Sequence, residues 1–128
     1  ESRKICIQYF EENKLPKPDR FEEILFAIEN HDDKDYKQNN TEPNSVFSIL
    51  CNADDLDAFG KVGIVRYTEI YLLRGNTMNQ LPESVINNLD NRFINFKNTY
   101  QNFSKLYSKH QQKYLITRKF FQDLKDES

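Results

Sequence analysis

The chain has 128 residues, which is enough for one domain with a modest hydrophobic core. It contains 3 Gly, 4 Pro and no Trp, and so few turn-forming residues argue against a β-sandwich or barrel. The net charge is −2 with both signs interspersed, so no basic stripe favours nucleic acid, and no apolar run of about 18 residues favours a membrane span.

The two cysteines, Cys6 and Cys51, are too few and too far apart for a disulfide framework. Both fall in predicted helices, where a reduced cysteine behaves as a small apolar side chain. The N-terminus shows no charged-then-apolar signal segment. These features predict a cytoplasmic protein.

The first predicted helix covers residues 2–13. Its apolar side chains follow an i, i+1, i+4, i+5 pattern and are Ile5, Cys6, Tyr9 and Phe10. Pro16 and Pro18 end this helix, because proline disfavours helix both at itself and at the preceding residue.

A second helix is predicted from Asp19, which together with Glu22 resembles a capping box. Its inward stripe consists of Phe21, Ile24, Leu25 and Ile28. His31 extends the stripe by one turn, either as a core residue or as a ligand. A polar segment, residues 32–44, then predicts a loop longer than most connections.

Further helices are predicted over residues 44 or 45 to 59, stopped by Gly60, and over residues 63–74, ended by Gly75. Pro82 suits the first turn of a last helical stretch, which forms one long helix or two with a break near residues 108–110. Its apolar ladder consists of Val85, Leu89, Phe93, Phe96, Tyr100, Phe103, Tyr107, Tyr114 and Phe121. This ladder is either the inner seam of a bundle or a partner-binding face, and aromatic residues at helical spacing favour the seam.

No segment has the alternation typical of a strand, so the predicted fold class is all-α. We expect a helical bundle of about five helices with a long C-terminal helix or helix pair. Residues 1–128 are predicted to form a single domain.

The third helix carries acids close to its predicted core-facing arc. At ~100° per residue that arc consists of Val46, Ile49, Leu50, Ala53 and Leu56. Asp57 falls within the arc, Asp54 at its edge, and Asp55 on the opposite side, where an acid is at no disadvantage. His110, in a polar stretch of the last helix, is predicted to lie at the surface.

A carboxylate on a core-facing stripe is unfavourable unless it is paired, hydrogen-bonded or bound to a metal. Two interpretations therefore stay open at this point. In the first, Asp57 caps a neighbouring helix or pairs with Arg66, and Asp54 is half-exposed. In the second, the acids belong to a metal site.

Two segments within residues 27–66 resemble the later motifs of HD-domain metal-dependent phosphohydrolases. Residues 27–32 read Ala-Ile-Glu-Asn-His-Asp, and residues 52–66 read Asn-Ala-Asp-Asp-Leu-Asp-Ala-Phe-Gly-Lys-Val-Gly-Ile-Val-Arg. They are similar to a bacterial branch with an Ala-Ile-x-x-His helix and an Asp-Ala-Asp-x-Leu-Asp-Ala-x-Gly-x-x-Gly-Ile-x-Arg helix. The spacing fixes Ala, Asp, Leu, Gly and Arg together, so the resemblance is fairly specific.

The resemblance implies an HD-like fold and hydrolysis of a phosphorylated small molecule, such as a nucleotide or another phosphate ester. Asp54 matches the late aspartate that closes the family's metal site, whose divalent ion (Mn, Fe, Co, Ni, Zn or Mg) activates water. His31 matches a histidine with a role at phosphate or at a second metal. Asp57 and Arg66 match positions that brace the helix turn, and we assign both, with His31, to the catalytic site.

Two departures from the family pattern bear on activity. Asn52 stands where the family has the first acid of Asp-Ala-Asp, and no histidine precedes His31. The family's earlier His and its His-Asp doublet would lie upstream of Glu1, and a single Asp with one His cannot hold the ion.

Three explanations follow: a fragment that has lost its first half and its metal, a first half supplied by a separate chain, or a degenerate domain. The first predicts an inactive chain whose partner is the missing N-terminal half or a second copy. The alternative function is a non-catalytic helical interaction module.

Overall fold

The computed structural model describes residues 1–31 and 44–128, which form α-helices and no strand. This confirms the predicted all-α class. The helices are α1 (Ser2–Glu12), α2 (Phe21–Asn30), α3 (Val46–Leu56), α4 (Lys61–Leu73), α5 (Leu81–Tyr100) and α6 (Ser104–Glu127). None of the helices in these ranges is both long and apolar enough to cross a bilayer. The predicted loop lies, apart from Asn44, outside the described residues.

The chain divides into two compact units, residues 1–51 and 52–128. The division falls within α3, so the first half of that helix belongs to unit 1 and its last turns to unit 2. Each unit has its own hydrophobic cluster. The single domain predicted for residues 1–128 stays a prediction.

Unit 1 is held together by contacts between α1 and α2 and by a small cluster at the start of α3. The rings of Phe10 and Phe21 lie 5.0 Å apart, and Arg3 Nη2 is 2.9 Å from the Glu22 carboxylate. The buried cluster consists of Ala27, Phe47 and Cys51. Cys6 and Cys51 are thiols without a disulfide, as predicted.

Two local predictions for unit 1 are wrong. Ile5 and Tyr9 are exposed, because a different face of α1, which includes Cys6, packs towards α2. Asp19 does not cap α2: the N-cap is Arg20, in a left-handed conformation with φ 62°, which places Asp19 one position too early. Arg20 instead forms an ion pair with Glu23 in the first turn.

Unit 2 is built on the antiparallel pair α5 and α6. Residues late in α5 contact residues early in α6 and the reverse, as shown by the pairs Phe96–Tyr107, Asp90–Tyr114 and Glu83–Lys125. The buried cluster consists of Phe59, Tyr67, Leu81, Val85, Ile86, Leu89, Phe96, Tyr114 and Phe121. The aromatic ladder is thus the inner seam, with the exception of Phe103, which is exposed.

The end of α4 and the start of α5 lie where the sequence predicted them, but the break between the last two helices does not. Pro82 lies in the first turn of α5, and Gly75 follows α4 with φ 90°, both as expected. The break predicted near residues 108–110 is wrong, because the chain turns between Tyr100 and Ser104 with no Gly or Pro to mark the turn. His110 is half-buried rather than at the surface, and its ring lies 5.8 Å from that of Phe96.

Candidate functional site

Helix α3 buries the face opposite to the predicted one. Ile49, Leu50 and Ala53, expected to face inward, are exposed. The buried residues are Phe47, Ser48, Cys51, Asn52 and Asp55. The helix has apolar side chains on both sides, so its periodicity does not determine which side is buried. The buried side is the one that carries Phe47, whose ring centroid lies 5.3 Å from that of Phe26.

The three acids of α3 and the following turn consequently change roles. Asp55, predicted to face solvent, is 1% exposed, whereas Asp57, predicted to face inward, has a side chain 61% exposed. Asp54 lies at the edge of the buried face, with its side chain 52% exposed. The predicted directions of Asp55 and Asp57 are both wrong, whereas Asp54 is half-exposed, as the first interpretation expected. The metal site of the second interpretation stays a prediction.

Arg92 of α5 contacts both Asp54 and Asp55. Its Nη1 donates to Asp55 Oδ1 at 3.2 Å, and it lies 3.3 Å from both the carboxylate Oδ2 and the main-chain oxygen of Asp54. A buried carboxylate needs a charged or hydrogen-bonding partner. Arg92 therefore compensates Asp55 and joins the end of α3 to α5.

Asn88 and Tyr67 form a hydrogen-bonded network that holds the Nε side of the Arg92 guanidinium. Arg92 Nε donates to Asn88 Oδ1 at 2.9 Å, and the Tyr67 hydroxyl donates to the same oxygen at 2.8 Å. Burial raises the pKa of Tyr67, so its hydroxyl keeps the proton that it donates. Burial alone would lower the pKa of Arg92, but its interactions with Tyr67 and with the carboxylates of Asp55 and Asp54 outweigh burial and raise that pKa.

Asp57 forms an ion pair with Arg66, one of the two contacts that the sequence predicted for it. Asp57 lies in the turn after α3 and Arg66 in the second turn of α4, so the pair bridges the two helices. Both side chains are about half-exposed, and exposed pairs contribute little to stability. The catalytic role assigned to the two residues stays a prediction.

A cleft of about 60 Å³ opens beside these residues in unit 2. It is lined by Asp54, Asp57, Ala58, Gly63, Arg66, Tyr67, Ile70 and Arg92. Three of the four predicted site residues, Asp54, Asp57 and Arg66, thus lie on one surface. The fourth, His31, belongs to unit 1, where its Nδ1 lies 2.8 Å from the main-chain oxygen of Ile28.

Two close contacts shape the turn that carries the cleft. A Cβ on Gly63 would overlap the carbonyl group of Ala58, so only glycine lets α4 approach the turn this closely. Thr117 of α6 is fully buried, and its Oγ1 accepts a hydrogen bond of 2.7 Å from the Gly60 N–H. Gly60 has φ 91° and also donates to the Lys113 carbonyl at 3.1 Å.

Sequence reasoning missed Arg92, Asn88 and Thr117. Asn88 and Arg92 are spaced i, i+4 on α5 and directly adjoin the ladder residues Leu89 and Phe93, which is a recognisable signal for a polar network at the edge of a core. The contact of Thr117 with Gly60 spans 57 residues of sequence, and nothing in the local pattern indicates it.

The described residues do not fit a divalent ion by themselves. Residues 1–31 and 44–128 contain no group of three or more His, Cys, Asp or Glu side chains arranged to hold a metal. Asp54 and Asp57 have the oxygen ligands that hard cations prefer, but each is already in contact with an arginine.

Comparisons of the chain with protein-family models, with curated proteins and with solved structures found no match. The HD resemblance thus depends on the residues quoted from the sequence alone.

Proposed function

We propose that this chain is part of a metal-dependent phosphohydrolase of the HD type. Asp54 is the proposed metal ligand, and Asp57 with Arg66 braces the turn beside it. The observation that supports the proposal is that these three residues, which the motif spacing singles out, line one cleft. In this proposal the other ligands come from outside the described residues.

The size of the cleft favours a phosphoryl group over a whole nucleotide as its occupant. Sites that enclose drug-sized ligands measure roughly 300–1,000 Å³, several times the 60 Å³ seen here. Arg66 borders the cleft with a half-exposed guanidinium, whose planar donors suit phosphate oxygens. The divalent ion, when bound, would supply an activated water.

The test is hydrolysis of p-nitrophenyl phosphate with Mn²⁺ by the protein expressed from its complete coding sequence. Asp54→Asn should lower kcat at least ~100-fold, because it removes a charged ligand while keeping the shape of the side chain. Asp123→Asn is the matched control, since Asp123 lies outside the cleft and forms an exposed pair with Lys119. Activity without Mn²⁺, or an active Asp54→Asn protein, would contradict the proposal.

The second candidate is a non-catalytic helical module, and the pairing of both cleft acids with arginine favours it. A carboxylate held by a guanidinium is less available to a metal. This candidate predicts that the same protein neither hydrolyses the ester nor binds Mn²⁺ by equilibrium dialysis.

A further inference from the structure

The side of α4 that faces away from the core of unit 2 is apolar. Five exposed aliphatic side chains define this outer face: Val62, Val65, Ile70, Leu72 and Leu73. Ile64 and Tyr71, on the other side of the helix, pack against the core. At 100° per residue the five aliphatic side chains lie within about 160° of arc, so they form one continuous patch. Continuous apolar patches of this kind mark interaction sites.

Two opposite charges lie in the middle of the outer face. Arg66 and Glu69 are both exposed and are flanked on each side by the aliphatic residues. Arg66 Nη1 contacts Asp57, but a guanidinium has five N–H donors, so the same side chain can bind a second carboxylate. The outer face therefore presents one cation and one anion to whatever covers it.

We infer that the outer face of α4 binds a second copy of this chain, as an antiparallel pair of α4 helices related by a two-fold axis. In such an interface, if residue i of one copy contacts residue j of the other, then j also contacts i. The midpoint between Arg66 and Glu69 is also the midpoint between Val62 and Leu73. An axis at this point pairs Arg66 of each copy with Glu69 of the other, and Val62 of each copy with Leu73 of the other.

This self-complementarity is the argument for a second copy as the partner. The charges are opposite in sign and equally far from the midpoint, so two identical faces attract each other without a contribution from another protein. The inference does not rest on the proposed function, because it requires neither a metal nor a reaction at the cleft.

The dimer should be weak. Residues 62 to 73 span about 16 Å along the helix at 1.5 Å per residue. One helix pair of this length buries less surface than the roughly 1,200–2,000 Å² of a stable interface. We expect a dissociation constant of about 10–100 μM, which is readily measured by sedimentation equilibrium.

Charge reversal tests the pairing of Arg66 with Glu69. In the protein from the complete coding sequence, Arg66→Glu and Glu69→Arg should each weaken the dimer at least ~10-fold, because like charges then meet across the axis. An equimolar mixture of the two variants should associate within a few-fold of the wild type, since each reversed residue meets its opposite in the other copy. Glu69→Arg leaves the Asp57–Arg66 pair intact, which keeps the test usable if Arg66→Glu does not fold.

A second pair of variants tests the apolar part of the face. Leu73 is 80% exposed at the end of α4, and Leu115 is 52% exposed on α6, outside the outer face. Leu73→Glu should weaken the dimer at least ~10-fold, because it places a charge against Val62 of the other copy. Leu115→Glu is the matched control and should leave the dissociation constant unchanged.

The results that would overturn the inference are distinct. A protein that is still monomeric at about 1 mM has no such dimer, and its outer face is then left to another segment or another protein. A dimer that Leu73→Glu leaves intact, or that Leu115→Glu weakens equally, uses a different surface. Reversed variants that fail to associate when mixed exclude the antiparallel pairing.

Discussion

Individual acids in this chain differ more in environment than their spacing suggests. Asp54, Asp55 and Asp57 lie within four residues of one another, yet one is buried and two are exposed. Burial raises the dependence of a carboxylate on its partner, because desolvation must be compensated by hydrogen bonds or opposite charge. The contribution of each acid to stability therefore follows its exposure and not its place in the motif.

Replacing Asp55 should destabilise the protein far more than replacing Asp57. Asp55→Ala removes one member of a largely buried pair, for which a loss of about 3 kcal/mol is typical. Asp57→Ala breaks an exposed pair and should cost less than about 1 kcal/mol. Urea unfolding of both variants measures the free energies, and equal losses would show that Asp55 is not buried in solution.

His110 should make stability depend on pH. Burial lowers the pKa of His110 below its ordinary 6.5, as do the nearby Lys113 and Lys109, and its Nδ1 has no hydrogen-bond partner in the described part of the chain. The unfolded state then binds the proton more readily than the folded state. The stability from neutral His110 is fully present above pH 6.5 and is lost as the pH falls below it.

The measurement is the Tm of the wild type and of His110→Phe between pH 5 and pH 8. Phe keeps the ring against Phe96 and cannot titrate. Below about pH 6.5, the Tm of the wild type should fall further than the Tm of the variant. A Tm difference that does not change with pH would refute the assignment.

At the scale of elements, α3 shows why periodicity alone misplaced the acids. Phe47 and Cys51 lie on one side of the helix and Ile49 and Leu50 on the other, so counting apolar residues gives two nearly equal faces. The choice depends on the residues that α3 meets in the fold, such as Phe26. By contrast, α5 and α6 carry one continuous ladder, and there the sequence was sufficient to predict the buried side.

Gly63→Ala should destabilise the turn between α3 and α4 by about 1–3 kcal/mol through overpacking. Alanine inside a helix normally stabilises by about 1 kcal/mol over glycine, so the sign of the effect is diagnostic. Here the added methyl group meets the Ala58 carbonyl, which belongs to the backbone and cannot rotate away. Urea unfolding measures the change.

Gly75→Ala is the control for this variant. Gly75 has φ 90° and no atom within 4 Å of an added Cβ, so its substitution strains the backbone without crowding a neighbour. Only Gly63→Ala should shift the amide resonances of residues 57–60. A stabilised Gly63→Ala protein would contradict the close approach.

At the scale of the whole molecule, the composition was sufficient for the fold class but not for the division into two units. Low Gly and Pro content and the lack of strand-like alternation in the sequence indicated an all-α chain, which the described residues show. The division depends on which helices pack against each other, and such long-range packing, like that of Thr117 with Gly60, has no local signature. For the site, spacing grouped Asp54, Asp57 and Arg66, whereas Arg92 emerged only from the packing of α5.

Because the two thiols differ in burial, their reactivity can report how often the small cluster of Ala27, Phe47 and Cys51 opens. The Cys51 side chain is enclosed with Ala27 and Phe47, while Cys6 is only half-buried on α1. A small alkylating reagent should therefore modify Cys6 first, and should reach Cys51 only when the start of α3 separates from α2. The ratio of the two alkylation rates, followed by mass spectrometry, would measure how often that small cluster opens without any engineered label.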